Sequence, residues 1–193
     1  WVNWLASGLH GRSRWRLSLI IMGIIFARGR RTVTTWLRAV GITEGFTSYY
    51  YFLQPLGRKA KDLGDRLLTL LLVRIHEGPR VLLAVDDSPT KRYGPQVQGA
   101  GIHHNPTPGP ADHKFLYGHI WVTISLVLRH PLWHTIGLPL LGLMYVRAKD
   151  VGKISRKYRW KFRTKLELAA KQVLRFAELA TAGGKAMWGV ADG

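Results

Sequence analysis

The chain has no cysteine, which rules out a disulfide framework and any thiolate zinc site and fits a reducing compartment. Acidic residues are scarce: 11 Asp and Glu stand against 29 Lys and Arg. Long apolar runs are also lacking. Leu17 to Ala27 is too short to span a bilayer, and Ile120 to Val146 is interrupted by Arg129, His130, Pro131, His134 and Pro139, so no transmembrane helix is expected. Neither an initiating Met nor a signal-peptide cleavage pattern is present. Trp1 as first residue reads as numbering that begins inside a longer reading frame, with both ends truncated.

What is present is positive charge and enough apolar material for a core. The formal charge is +18 over 193 residues, and 47% of these are hydrophobic. The excess is even: residues 1–80 hold 13 basic and 4 acidic side chains, residues 81–193 hold 16 and 7, and each part carries +9. A polyanion is the natural partner, because each neutralised phosphate releases condensed counterions. Nucleic acid answers this better than an anionic membrane, and no membrane association is expected.

The chain divides near Gly78-Pro79, giving an expected helical region 1–79 and a second region 80–193. In the first, apolar residues recur at helical spacing in Trp15 to Ala27, Val33 to Val40 and Leu63 to Ile75, with breakers at Gly29, Gly41, Pro55 and Gly57. This predicts a bundle of three to five helices. In the second, Val81 to Val85 reads as a strand buried on both faces. Ser88 to His113, crowded with proline and glycine, reads as a long loop. Strands are predicted at His119 to Leu128 and Thr135 to Val146, joined through RHPLWH. A helix follows on the stripe Phe162, Leu166, Ala169, Val173, Phe176 and Ala180, with Ser155 as a candidate cap and Gly183-Gly184 as its end. Met187 to Ala191 is the last strand. The fold class is therefore α/β, strand order β-β-β-α-β, behind an all-α region.

Two apolar runs end in aspartate, VLLAVDD at Val81 to Asp87 and MWGVAD at Met187 to Asp192. A crossover helix allows the last strand to lie parallel to the first. Asp87 and Asp192, 105 residues apart, would then sit side by side. Carboxylates separated by about 4–7 Å repel unless divalent cations lie between them. Taken alone, an Asp-Asp pair after a strand is as readily a turn or capping device.

The segment LLAVDDSPTKRYGPQVQGAGIHHNPTPGP, the following FLYGHIWV, the FRTKLELAA helix and the terminal VADG resemble the DDE-superfamily transposases of bacterial insertion sequences. GLHGRSRWRL and FARGRRTVTTWLRAVGI resemble their helical N-terminal part. The resemblance implies a ribonuclease H-like endonuclease core, with Asp87 as the first catalytic and metal-binding residue, Asp86 as the fallback and Asp192 as the second. It implies Mg²⁺ or Mn²⁺ at a two-metal site, cleavage and strand transfer on double-stranded DNA at transposon ends and target, a homodimer formed through synapsis, and a bacterial, nucleoid-associated location in the cytoplasm. The third acidic residue of the family lies downstream of the fourth strand. Glu167 and Glu178 precede that strand, so the expectation is a partial core with an incomplete metal site and no activity of its own.

Candidate DNA contacts are Arg28, Arg30 and Arg31 beside the Thr32 to Val40 helix, Lys91 and Arg92 after the aspartates, and Arg156, Lys157, Arg159, Lys161 and Arg163, among which Tyr158, Trp160 and Phe162 are interleaved. Each basic group reads equally as a solvated surface. The histidines His103, His104, His113 and His119 lack the spacing of a zinc site and read as loop hydrogen-bonding groups. Two competing classes stay open: a basic nucleic-acid-binding protein without catalysis, and a membrane-surface protein, which needs an amphipathic helix with a basic flank.

Overall fold

The computed structural model describes residues 1–74, 78–94, 96–105 and 113–191. It contains two compact units, Trp1–Arg74 and Ile75–Gly193.

The first unit is helical: α1 (Val2–Ala6), α2 (Trp15–Phe26), α3 (Val33–Ala39), α4 (Thr47–Arg58) and α5 (Ala60–Arg74). Its core gathers Ala6, Leu17, Ile20, Leu37, Tyr49 and Phe52. At about 1.5–3 kcal/mol for each large apolar side chain buried, this packing outweighs local propensity. That explains one departure from the sequence reading. Pro55 and Gly57 do not break the chain but lie inside α4, which is anchored by buried Tyr49 and Phe52; α4 ends three residues past the proline. Helices α2 and α3 approach at Gly23, where an added Cβ would lie 2.3 Å from the Trp36 carbonyl oxygen. Only glycine permits that approach. The α3 start is capped by Thr32, whose Oγ1 accepts from Thr35 N at 3.2 Å.

The second unit is a five-stranded mixed sheet crossed by one long helix. Its strands are β1 (Arg80–Lys91), β2 (Gly101–His104), β3 (Phe115–His130), β4 (His134–Tyr145) and β5 (Ala186–Ala191), with α6 (Ala148–Val151) and α7 (Lys165–Ala182) between β4 and β5. The order across the sheet is β2-β3-β1-β5, with β4 also on β3. The β1–β3, β2–β3 and β3–β4 pairs are antiparallel, and β1–β5 is parallel, which the connection through α7 allows. This is the mixed α/β architecture of a partial ribonuclease H-like fold.

Three boundaries differ from the sequence reading. First, β1 does not stop at Asp87. It runs to Lys91, because β3 pairs with it as far as Lys91↔Gly118. Parallel pairing with β5 ends at Val85↔Ala191, so Pro89 lies where one side of the strand no longer has a β5 partner. Second, the supposed loop from Ser88 to His113 contains the end of β1 and the short strand β2, although residues 106–112 lie outside the described residues. The strand–strand–strand–helix–strand order stands, with β2 inserted in it. Third, α7 starts at Lys165 and not near Ser155. Thr164 and Glu167 form a reciprocal capping box that fixes its first turn. Phe162 therefore lies outside the helix and Leu166 is 82% exposed; the buried stripe is Leu168, Gln172, Phe176 and Ala180.

Helix α7 packs over β3, β5, β1 and β4. Phe176 is fully buried, as are Val81 and Leu83 of β1 and Ile124 and Leu126 of β3. Strand alternation makes these one face of the sheet. Gln172 Nε2 also donates to the Val122 carbonyl at 3.0 Å, tying α7 to β3 at the residue opposite Asp87. On the other face Trp188 and Val190 are exposed.

Candidate functional site

Strand alternation decides where the two described aspartates point. Asp87 follows Leu83 and Val85 on the face that α7 covers, and Asp86 follows Leu82 and Ala84 on the other. The carboxylates are neighbours in sequence and diverge in space. Asp86 is exposed; its Oδ1 accepts from Asp87 N at 2.7 Å, and its carbonyl accepts from Thr123 Oγ1 at 3.1 Å. Asp87 is partly buried, and its Oδ2 is ion-paired with Lys165 Nζ from the first turn of α7. The same ammonium lies 5.8 Å from the centre of the Tyr145 ring.

Asp192 lies outside the described residues, and so does its separation from Asp87. The parallel ladder reaches Val85↔Ala191, one residue before Asp86 in β1 and one residue before Asp192 in the sequence.

Among the described residues no three His, Cys, Asp or Glu side chains gather. Carboxylate oxygens are the hard donors that Mg²⁺ and Mn²⁺ take. The described residues offer one such carboxylate on each face of β1, which is part of a ligand set. Glu167 is committed elsewhere: Thr164 N and Thr164 Oγ1 both donate to its Oε2, at 2.6 and 3.0 Å, and these bonds hold its carboxyl below the ordinary range.

The histidines are used as hydrogen-bonding and packing groups. His119 is buried; its Nδ1 accepts from Arg92 Nε at 3.1 Å, and its Nε2 lies 2.9 Å from the Gln98 carbonyl oxygen. Arg92, a candidate DNA contact, thus spends one donor on His119, and Lys91 beside it is exposed. His103 packs edge-on to Tyr145 and His104 edge-on to Phe115. Burial, then the positive charge of Arg147 and Lys165, pushes the His103 imidazole down from its ordinary value. The His113 carbonyl accepts from Asn105 Nδ2 at 3.4 Å.

The basic segment before α7 takes a form that no motif in the sequence announces. Arg156 to Tyr158 make a single 3-10 turn, Arg159 is left-handed, and residues 160–164 are irregular. Arg156, Lys157, Arg159, Lys161 and Arg163 are all exposed, with Tyr158 and Phe162 at 55% and 45% exposure. This run leads directly into Lys165 and so to Asp87. In the helical unit, Arg28, Arg30 and Arg31 are exposed in the turn that enters α3.

Two features had weak or no sequence signal. The Lys165–Asp87 pair joins residues 78 positions apart, and nothing local announces it. The other is a structural centre at α6: Asp150, 2% exposed, receives Arg147 Nε at 2.5 Å and Lys153 Nζ at 2.9 Å, while Arg147 Nη1 also donates to the Ile102 carbonyl of β2. Burial alone would raise the Asp150 carboxyl, but the hydrogen bonds from Lys153 and Arg147 outweigh it and hold it below the usual carboxylate range.

The profile of one family, DDE superfamily endonuclease, matches residues 5–133, more than half of the chain. The chain belongs to the DDE superfamily endonucleases. The match takes in the helical unit from residue 5 onward, both aspartates of β1 and all of β2 and β3. Membership brings DNA as the substrate class, and nucleases of this superfamily generally use divalent metals. No curated protein and no solved structure matches the chain. Among the described residues no helix is long and apolar enough to cross a membrane.

Proposed function

We propose that this DDE superfamily member is part of an insertion-sequence transposase, in which region 1–79 contacts DNA and region 80–193 is the catalytic core. Its reaction is hydrolysis of phosphodiester bonds at the element's ends followed by strand transfer into target DNA. The observation that carries this reading is the parallel β1–β5 pair, which runs up to the residue before Asp86 and the residue before Asp192. We propose Asp192 and one β1 aspartate as the acidic positions: the family resemblance favours Asp87, whereas the β1–β5 register, continued by one step, would set Asp86 level with Asp192. Because Asp86 and Asp87 face opposite ways, only one of them can share an ion with Asp192.

These carboxylates would hold Mg²⁺ or Mn²⁺. When bound, the ion supplies activation of water or of a 3′-hydroxyl. The remaining work falls to the chain's own side chains. Lys165 neutralises and orients Asp87. Arg156, Lys157, Arg159, Lys161 and Arg163 offer exposed cations to a phosphate backbone, with Lys91 and Arg92 at the end of β1 and Arg28, Arg30 and Arg31 at the start of α3. Synapsis of two ends would pair two copies of the chain, and the bacterial nucleoid is where such a protein would act. Since Glu167 caps its own helix and Lys165 occupies Asp87, these 193 residues should bind DNA more readily than they cleave it.

That same pairing of Lys165 with Asp87 favours one second reading, a basic DNA-binding protein without catalysis. Mn²⁺ titration followed by loss of the free-ion electron paramagnetic resonance signal, run beside a plasmid-nicking assay, separates the two. Binding that is present in the parent chain and lost in Asp87→Asn and Asp192→Asn supports the transposase core. Loss in Asp86→Asn, with Asp87→Asn unaffected, moves the first position by one residue. Binding that none of the three changes leaves the aspartates structural and supports the second reading.

A further inference from the structure

The tip of the β3–β4 hairpin takes no part in the site just described, yet it is built and not merely exposed. The strands close at His130↔His134, and the tip is held from inside. Leu132 N and Trp133 N both donate to His130 Nδ1 at 3.2 Å, which leaves the ring proton on Nε2. The Trp133 indole lies flat on the His130 imidazole, with centroids 4.4 Å apart and planes 18° from parallel. His134 adopts a left-handed backbone with φ 56°, which completes the turn. The result is a fixed ring with one face covered by His130 and the other open: Trp133 is 68% exposed and Leu132 beside it 78%.

The hairpin end, with an aromatic ring held in one orientation and exposed Arg129 one residue before His130 in β3, has the two things a nucleobase in an unpaired strand needs. It offers a π-face on which any base can stack, and a cation for the adjoining phosphate. The +18 charge of the chain opposes self-association at this point and favours a polyanion. We propose that Trp133, backed by His130 and beside exposed Leu132, is a stacking platform for an unpaired DNA base. His130 lies eight residues along β3 from Val122, the partner of Asp87, which is about 26 Å at the strand rise. A duplex lying along β3 would meet the platform about eight base pairs from the candidate carboxylates. This inference rests on DNA being the substrate and adds to it a preference for open over closed duplex.

The test uses the full chain and two probes of one sequence, a blunt duplex and a forked duplex whose single-stranded arm carries 2-aminopurine. Anisotropy gives affinity, and 2-aminopurine emission reports stacking. The parent chain should favour the fork and quench its probe. Trp133→Ala should weaken fork binding about tenfold, in the range for loss of one stacked base, abolish the quench and leave blunt-duplex affinity within about twofold; Trp133→Phe should restore most of both. Equal fork affinity and equal quench in the parent chain and Trp133→Ala would overturn the platform while leaving the DNA reading intact. Failure of the parent chain to bind either probe would overturn both. A change in sedimentation of Trp133→Ala at unchanged fork affinity would mark the tip as an interface between copies and also overturn it.

Discussion

Lys165, the first residue of α7, places its ammonium on the carboxylate of Asp87 in β1 while lying against the ring of Tyr145. One cation thus links the helix start to the middle of the strand that carries the candidate catalytic acid, and its charge also helps to lower the proton affinity of His103. Both side chains of the pair are partly open to water, at 47% and 32% exposure, so the pair itself contributes little to stability, on the order of 1 kcal/mol or less.

The first prediction separates electrostatics from stability at this residue. In Lys165→Met the unfolding free energy should fall by no more than about 1 kcal/mol. Asp87 should lose its competing cation, so Mn²⁺ should bind several-fold more tightly. The His103 imidazole, relieved of one nearby positive charge, should titrate at higher pH in an NMR experiment. An unchanged His103 titration would mean that Lys165 does not act at this distance.

That relationship was not legible in the sequence, and the reason is general to this chain. Periodicity located the buried centres of β1, β3, β4 and α7, because burial repeats along a strand or helix, and a short apolar run located β5. It placed the ends poorly. Asp86, Asp87, Ser88 and Pro89 look like a terminus by composition, but β1 continues because β3 supplies partners on one side, and pairing is a property of the other strand. Phe162 and Leu166 extended the apolar stripe of α7 in the sequence, whereas Thr164 and Glu167, a capping box visible in the letters T-K-L-E, start the helix after Phe162. Gly101 to His104 is too short for alternation to show. The parallel placement of β5 beside β1, by contrast, was reachable from the crossover length together with the rule for such connections.

Gly118 tests how strictly β1 must follow β3 beyond the aspartates. An added Cβ there would lie 2.1 Å from the Thr90 carbonyl oxygen and 3.2 Å from Lys91 Cα. Both are backbone atoms of the paired strand, so neither can swing aside. Gly118→Ala should cost about 2 kcal/mol or more and raise amide exchange at Thr90 and Lys91 first. A stability loss within about 0.5 kcal/mol would show that the end of β1 is not held as described.

Asp150 anchors α6 to β2 through Arg147, and its carboxylate is almost wholly buried. Asp150→Asn removes the negative charge but leaves the Arg147 guanidinium in place, so the loss should be about 3 kcal/mol. Most of it comes from Arg147, because the Lys153 side chain is 75% exposed and screened by solvent. Urea unfolding monitored by tryptophan fluorescence would measure it. If Lys153→Met cost as much as Asp150→Asn, this division between the two cations would be wrong.

His103 gives the fold a predicted acid sensitivity. Its folded form holds a proton less tightly than the unfolded chain, for which the ordinary value is 6.5. The contribution to stability is therefore fully present above about pH 6.5 and is lost as the pH falls through the lower folded value. Asp150 acts in a separate and more acidic window, because its carboxyl is held below 3.8. Denaturation midpoints at about pH 7.5 and about pH 5.5, on either side of the unfolded value, should differ in the parent chain and converge in His103→Gln. Equal pH dependence in both would assign the acid sensitivity to other groups.

The exposed basic run before α7 yields the prediction on which the DNA reading most directly depends. Arg159, Lys161 and Arg163 precede the helix and are exposed, so changing them to alanine together should leave unfolding nearly unaltered. If each meets one phosphate, the triple variant should lower the slope of log affinity against log salt by about 0.9 for each phosphate no longer neutralised, or roughly 2 to 3 in all, on the counterion-release relation. Filter binding of a duplex of about 30 base pairs over a salt series gives the slope. A matching change of Arg28, Arg30 and Arg31 tests the helical unit independently. Should the first triple leave the slope unchanged and the second lower it, DNA would be held by the helical region, and the approach to Asp87 through this run would fall.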